Sequence, residues 1–308
     1  MKTSKVSDNS TTVIIPTYNR RVELARALDS LVAQTDPDFD VIVCDDGSTE
    51  DIALTTRAYT DRLRLQLIRI DNSGGPARPR NVGVGAAKTR WVSFLDSDDW
   101  WAPNRMARVK LELGPNADIV YHQLTVHRAD AKRNERPSHG ALIGEPLRLS
   151  NPLLHMIRFG NPLPTSATTV RAELMRSING FDESRDLASV EDFDAWLRLT
   201  SQGASMRIIP ESLGWYWVGS DQISTFNARQ YERQSNLFQR QLKLLPPLYQ
   251  SCARSNFSYL LGSYALDLGL PGARTHFKEI AFTQEPLRWA KAQIKIWRAK
   301  HHYSQELK

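Results

Sequence analysis

Two clusters of carboxylates, Asp45-Asp46-Gly47-Ser48 and Asp96-Ser97-Asp98-Asp99, are the residues of this chain most able to do chemistry. Carboxylates packed this closely repel one another, so something must offset the charge. A divalent cation is the simplest candidate. Asp96 and Asp98 stand two apart, as a short turn can hold them around a hard ion with oxygen ligands. Mn2+ or Mg2+ in turn suggests a diphosphate, because hard ions bridge phosphate oxygens and neutralise a leaving group. The plainer reading makes both clusters turn and helix-cap residues. Their placement favours the binding role, since each follows a strand.

Those strands belong to an alternating pattern. Thr12–Pro16 is a short buried run, and Arg21–Gln34 repeats apolar residues at helical spacing (Val22, Leu24, Leu28, Leu31). Phe39–Cys44 is a second strand, Asp51–Thr60 a weaker helix and Leu65–Ile70 a third strand. Pro76–Ala87 is helical in part, Trp91–Leu95 is a fourth strand, Pro103–Leu113 a helix and Ala117–Tyr121 a fifth strand. Alternation of this kind implies an α/β fold, a mostly parallel sheet with helices on both faces. Ligands of such sheets sit outside the carboxyl ends of the strands, which is where both acidic clusters fall. Beyond, the spacing predicts a loop over His127–Gly144, helices over Asn151–Phe159 and Val190–Ser201, and strands over Ala167–Val170, Met206–Ile209 and Leu213–Val218. From Gln222 onward the pattern is helical, which places a boundary near Ser220.

Several motifs in order resemble the family 2 glycosyltransferases, which have the GT-A fold, a Rossmann-like sheet. The resemblance covers about Thr12 to Ser224: Pro16-Thr17-Tyr18-Asn19-Arg20, then Asp45-Asp46-Gly47-Ser48, and a Gly-rich stretch from Gly74 that contains Arg80-Asn81. Asp96-Ser97-Asp98 matches the family's DXD motif, Asn179-Gly180-Phe181-Asp182-Glu183 its Gly-Gly-Phe-Asp-Glu, and Glu191-Asp192 its acidic helix motif. The resemblance implies an inverting transferase that moves a sugar from a nucleotide-diphospho-sugar, a UDP-sugar, to an acceptor hydroxyl. It implies that Pro16, Tyr18 and Asn19 hold the nucleotide, that Asp46 reads the uracil and that Arg80 supports the nucleotide or its phosphates. Asp96 would lie by the ribose and sugar, Asp98 would bind Mn2+ or Mg2+, and Asp192 would be the general base with Glu191 beside it. The chemistry agrees: attack on a sugar C1 needs a base at the acceptor and stabilisation of the departing diphosphate. Within the helix, Asp192 and Trp196 share a face. Glu191 and Asp192 serving only the helix dipole is the competing account.

Two departures from the family pattern stand out. Gly219 occupies the place where the family often carries a metal-reaching His after the last strand, which leaves Asp98 as the expected metal residue. Pro79 replaces the small residue before Arg-Asn and, lacking an N–H, is expected to alter the start of that helix. Trp215 and Trp217 are expected in the core, with an acceptor or sugar site as the other use of their indoles. Cys44 reads as a small core residue.

The chain has 308 residues, 40 Lys/Arg against 34 Asp/Glu, and 24% charged residues, which is ordinary globular usage. Two cysteines exclude a disulfide framework, and the polar Met1 to Thr12 stretch has no apolar signal core, so a cytoplasmic setting is expected. Residues 230–308 hold 12 Lys/Arg and 5 Asp/Glu, so the basic excess is local and does not indicate a nucleic-acid partner. In Pro286–His302, Arg288, Lys291, Lys295, Arg298 and His302 fall on one side, and Leu287, Ala290, Ile294 and Trp297 form an apolar stripe flanked by Trp289 and Ile296. The reading taken is a terminal helix docked on the protein. Peripheral contact with the inner face of a membrane is the alternative. The expected organisation is a GT-A domain over 1–220, with the nucleotide-sugar half over 12–122 and the acceptor side over 123–220, then a helical region over 221–308 that could shape the acceptor site or form a homo-oligomer. The acceptor stays open among saccharide, lipid-linked, small-molecule and peptide hydroxyls. The competing function is a non-catalytic relative that binds nucleotide-sugar or glycan, or scaffolds partners. A nucleotidyltransferase would need a Gly-rich basic loop after strand one, and a dinucleotide oxidoreductase a G-x-G-x-x-G there; neither is present.

Overall fold

A computed structural model describes residues 9–128, 138–219, 227–282 and 285–305, with side chains in the last helix described through Trp297. In chain order the elements are β1 (Thr11–Thr17), α1 (Arg21–Val32), β2 (Asp40–Asp45), α2 (Ile52–Arg57), β3 (Arg64–Arg69), α3 (Ala77–Ala86), β4 (Trp91–Phe94), β5 (Trp100–Trp101) and α4 (Arg105–Lys110). There follow β6 (Ile119–Arg128), β7 (Leu142–Ile143), α5 (Pro152–Phe159), β8 (Thr168–Arg171), α6 (Ala172–Ser177), α7 (Glu191–Ser201) and β9 (Met206–Val218). Four more helices complete the chain: α8 (Ala228–Leu244), α9 (Pro247–Asp267), α10 (Ala273–Lys278) and α11 (Pro286–Gln305). The described residues divide into two compact units, one within Met1–Arg148 and Asn161–Gln222, the other within Leu149–Gly160 and Ile223–Lys308. The α5 helix therefore groups with the C-terminal helices. The expected boundary at Ser220 lies outside the described residues.

The first unit is built on one sheet of order β3-β2-β1-β4-β8-β6-β9-β5, with β7 paired to β6. The β3-β2-β1-β4 half is parallel throughout, and β6 and β9 run parallel along most of their length. Every residue of β1 and β4 is buried, as expected of central strands covered on both faces. Side chains alternate between the faces. Val13, Ile15, Val41 and Val43 pack with Leu24, Leu28 and Leu31 of α1. Ile14 and Cys44 point the other way, toward α3, where a Cβ on Gly83 would lie 2.5 Å from Ile14 Cγ2 and 3.4 Å from Cys44 Sγ. Glycine there lets α3 settle on the sheet, and burial pushes the Cys44 thiol up to about 12. Gly83→Ala is expected to cost about 1–3 kcal/mol through overpacking, seen as a lower urea midpoint; an unchanged midpoint would contradict this packing. Pro79 falls in the first turn of α3, where N–H groups lack intrahelical partners anyway, so the helix begins at Ala77 without a break.

Two expectations change in the other half of the sheet. The fifth strand continues from Tyr121 to Arg128, and Leu142–Ile143 of the expected loop forms β7; residues 129–137 lie outside the described residues. The two final strands are one, β9. Its ladder with β6 slips after His122↔Ile209 to Gln123↔Ser212, so Pro210 and Glu211 form a bulge that accommodates a residue without an N–H. Gly214 permits the approach of β5: a Cβ there would stand 2.7 Å from the Trp100 carbonyl oxygen.

The crossing of β4, β8 and β6 is fastened by a buried cation, Arg105. Its guanidinium donates to His122 Nε2 (3.1 Å), Ser93 Oγ (3.1 Å) and Thr169 Oγ1 (2.9 Å), and lies over the Trp101 ring at 3.7 Å. Burial lowers Arg105 to about 9 and holds His122 well below its ordinary value. Neutral His122 then accepts at Nε2 and donates from Nδ1 to the Gln123 carbonyl, 2.8 Å away.

In the second unit, Phe238 of α8 stacks on Phe257 of α9 at 3.9 Å. Phe277 of α10 fits against Gly262 of α9, where a Cβ would meet its ring at 2.7 Å. Buried Glu285 pairs with Arg158 at 3.0 Å and Arg288 at 3.2 Å, which fixes the start of α11 against α5. Among the described residues no helix is long and apolar enough to cross a membrane.

Candidate active site

The site gathers at the carboxyl ends of β1, β2 and β4. Pro16 is buried within β1, opposite Cys44, and the chain then emerges through Tyr18, which is 47% exposed. Asn19 takes φ +48, a left-handed conformation that asparagine tolerates better than most residues. Its N–H donates to Ser48 Oγ (2.9 Å), and its Oδ1 accepts from the Thr49 N–H (2.7 Å). The loops after β1 and β2 are thereby tied together.

In the second loop, Asp45 is turned inward as a structural acid, accepting from the Ser48 N–H (2.9 Å) and from Arg69 (2.9 Å). Gly47 is required by its φ of +76 and by Asn72, whose N would lie 2.7 Å from a Cβ. Asp46 points to the segment after β3: its Oδ1 accepts from the N–H and the hydroxyl of Ser73, each at 2.9 Å. Burial raises the Asp46 carboxyl, and these Ser73 bonds oppose the rise. Sequence reasoning missed Asn72 and Ser73, which no motif marks.

Arg80 is the hub. It is buried, donating to Glu191 Oε1 at 2.7 Å and to Asp96 Oδ1 at 2.6 Å. Burial alone would lower its affinity for the proton, but Asp96 and Glu191 more than offset this and hold it charged. Its neighbour Asn81 reads the backbone of the Asn179–Glu183 stretch: Phe181 N–H donates to Oδ1 and Nδ2 donates to the Phe181 carbonyl, both at 2.8 Å. That stretch turns through Asn179 (φ +59) and Gly180 (φ +70), where a Cβ would clash with Asn81 Oδ1 at 2.2 Å. Arg198, paired with buried Asp194 at 2.7 Å, donates to the carbonyls of Ile178 and Gly180 and completes the turn. The Arg-Asn and Asn-Gly-Phe-Asp-Glu motifs are thus two halves of one device that places α7.

At the start of α7, Asp192 Oδ2 accepts from Thr165 Oγ1 at 2.9 Å and from Asn161 Nδ2 at 3.4 Å, and Oδ1 accepts from the Phe193 N–H at 2.7 Å. Burial and the adjacent Glu191 push its carboxyl up from 3.8 to about 6. Trp196, one turn on, is buried against Phe94 and Phe181. The carboxylate is therefore held by neutral donors, with its proton affinity raised by burial and by Glu191.

Beyond β4, the Asp96 N–H donates to Ser166 Oγ (3.0 Å) and Asp98 is paired with Arg20, while Arg26 donates to the Asp98 carbonyl at 2.6 Å. Burial and Asp96 raise the Asp98 carboxyl, against the pull of Arg20. Asp99 is fully buried, accepts the Trp217 N–H at 2.8 Å, and is held well above the carboxylate range by burial and its two acidic neighbours. Trp215 and Trp217, expected in the core, are instead half-buried on one sheet face. Trp100 stacks on Trp215 at 5.7 Å, His127 stacks on Trp217 at 5.4 Å, and Arg26 lies over Trp100 (4.2 Å) and Trp217 (4.6 Å). A Cβ on Gly219 would sit 2.7 Å from Trp217 Nε1, so a histidine there would displace that indole.

No group of three or more His, Cys, Asp or Glu among the described residues could hold a metal ion. The donor set fits a different arrangement. Mg2+ is commonly held by one or two carboxylates together with substrate phosphates, and Asp98, a hard oxygen donor at the rim, can supply one of them once Arg20 yields.

The site thus joins acidic loops at the carboxyl ends of parallel strands to a carboxylate at a facing helix start. The sequence profile of "Glycosyl transferase family 2" matches residues 12–170. The chain belongs to that family. An uncharacterized glycosyltransferase of Haemophilus influenzae is 31% identical over 192 residues, covering 62% of each chain. The poly(ribitol-phosphate) beta-N-acetylglucosaminyltransferase TarS of Staphylococcus aureus is 41% identical over 91 residues, 29% of this chain and 16% of TarS. This chain thus spans less than two thirds of the curated relatives it matches. Among solved structures, TarS gives a TM-score of 0.66 at 20% identity, over 94% of this chain and 54% of TarS. The mannosyltransferase PcManGT from Pyrobaculum calidifontis, in complex with GDP-Man and Mn2+, gives 0.61 at 17% identity, over 96% and 83%. These likenesses show the fold, the GT-A type.

Proposed function

We propose that this protein is an inverting glycosyltransferase that moves a sugar from a nucleotide-diphospho-sugar, a UDP-sugar, to an acceptor hydroxyl. The observation that carries the reading is Asp192: a carboxylate pushed to about 6, held by Thr165 and Asn161, at the mouth of the sheet's carboxyl ends. The relatives agree in kind. TarS has been solved with UDP-GlcNAc, PcManGT with GDP-Man and Mn2+, and WfgD is a UDP-Glc:alpha-D-GlcNAc-diphosphoundecaprenol beta-1,3-glucosyltransferase.

In this scheme the loops after β1 and β2 take the nucleotide, with Tyr18 and Asn19 at its edge and Asp46 turned from Ser73 to the uracil. Asp192 accepts the acceptor's hydroxyl proton as that oxygen attacks C1. The C1–oxygen bond to the diphosphate breaks, and its electron pair leaves with the phosphate oxygen. A divalent ion at Asp98, Mn2+ or Mg2+, would neutralise the charge that develops there. Arg80 keeps Glu191 and Asp96 in place around the sugar, and Arg20, freed from Asp98, is left beside the phosphates. The free thiols Cys44 and Cys252 suit a reducing, cytoplasmic setting.

Calorimetric titration with UDP- and GDP-sugars, in Mn2+ or in EDTA, tests this. One UDP-sugar is expected to bind saturably in Mn2+, about tenfold or more weaker in EDTA, with Asp98→Ala reproducing the EDTA value in either medium. Folded protein that binds no nucleotide-sugar would overturn the proposal in favour of a scaffold role.

A further inference from the structure

We propose that the outer face of α11 seats this protein on an anionic phospholipid surface. The helix was expected to dock on the protein, and it does so through a face other than its apolar stripe. Ala292 is fully buried and Ile296 packs beside it, against the cluster of Phe277, Ile280, Tyr259 and Leu266. Glu285, paired with Arg158 and Arg288, fixes where the helix starts, so its rotation is set by this buried side. The stripe one side round is left outward: Leu287 is 79% exposed, Ile294 51% and Trp297 58%. Phe282, 58% exposed, meets Trp289 edge-on at 5.1 Å on the neighbouring side of the helix start. Large apolar side chains gathered on one solvent-facing strip mark an interaction surface.

Charge decides the occupant. The α11 sequence carries Arg288, Lys291, Lys295, Arg298 and Lys300 and no acidic residue. Exposed Lys291 lies between Leu287 and Ile294 on the helix surface. Arg288 pairs with Glu285 and Lys295 lies over the Tyr259 ring at 5.7 Å, so Lys291 is the described cation beside the strip. In a two-fold pairing with a second copy, a helix of this net charge would meet its own like charges with no carboxylate within it to relieve them. An anionic bilayer surface meets both demands: the apolar strip enters the headgroup–acyl boundary, the Trp297 indole sits at the interface, and Lys291 reaches the phosphates. The helix lies on such a surface; it is too polar to cross it.

Flotation of the full chain with vesicles tests the assignment. The protein is expected to float with vesicles of equal parts phosphatidylglycerol and phosphatidylcholine and to stay behind with phosphatidylcholine alone. Ile294→Glu is expected to lower partitioning about tenfold or more, and Lys291→Glu about fivefold. Both variants, altered at exposed positions, are expected to keep the wild-type circular dichroism and donor binding. Failure of the wild type to float, or flotation of both variants at the wild-type level, would overturn the proposal. So would a lipid-free dimer that Ile294→Glu dissociates, since a second copy would then cover the stripe.

Discussion

Asp192→Asn is expected to lower the rate of transfer by about 10²–10⁴-fold while donor binding stays within a few-fold of wild type. The amide can still accept from Thr165 and keeps the volume of the carboxylate, but it cannot take the acceptor's proton. The wild-type pH profile carries the same signature. Only the carboxylate form is a base, so kcat/KM rises about tenfold per pH unit below about 6 and levels off above it; the variant's residual rate lacks that limb. Stability moves the other way. The folded carboxyl titrates at about 6, above its ordinary 3.8, so the native state binds the proton more tightly than the unfolded chain. By linkage, that preference is fully present below the ordinary value and is lost as pH rises through about 6. A neutral Asn escapes this loss, and its urea midpoint at neutral pH is expected to equal or exceed that of wild type. Full turnover in Asp192→Asn would remove Asp192 from the reaction.

The second large effect is at Arg80. Arg80→Met leaves Glu191 buried without its counter-charge and Asp96 without its clamp. Removing one partner from a buried ion pair typically costs about 3–5 kcal/mol, so the midpoint of urea unfolding drops sharply and transfer is lost. Arg80→Lys recovers part of the stability only, because a single ammonium cannot span two carboxylates that now sit on separate nitrogens of one planar group. A wild-type midpoint in Arg80→Met would show that the acids are balanced by something other than this residue.

Much of this was legible in the sequence, and the reasons differ by element. Strands β1, β2 and β4 are continuous apolar runs ending in acids or in Pro16-Thr17-Tyr18-Asn19, and a buried parallel strand leaves that trace. The early turn of α7, with Glu191 and Asp192, was legible for the same reason: polar residues open an otherwise apolar helix. Long-range pairing was not. Nothing near Pro210 announces that β9 runs through it as a bulge, because the partner that absorbs the slip is Gln123, far back in the chain. Arg80 appeared in a motif, but its two partners lie 16 and 111 residues away, so its place as a buried clamp emerges only when the sheet assembles. The face that α11 buries escaped the pattern because Ala292 is small and counts little toward an apolar stripe, yet its size is what lets the helix approach the Phe277 cluster.

A single displacement at the sugar C1 with Asp192 as base fixes the anomer of the released sugar, which time-resolved proton NMR of donor hydrolysis by wild-type protein reads. With an α-linked UDP-sugar and Mn2+, the sugar first released is expected to be the β anomer, before mutarotation mixes the two. First release of the α anomer would contradict it, as would the absence of any turnover from a donor that binds.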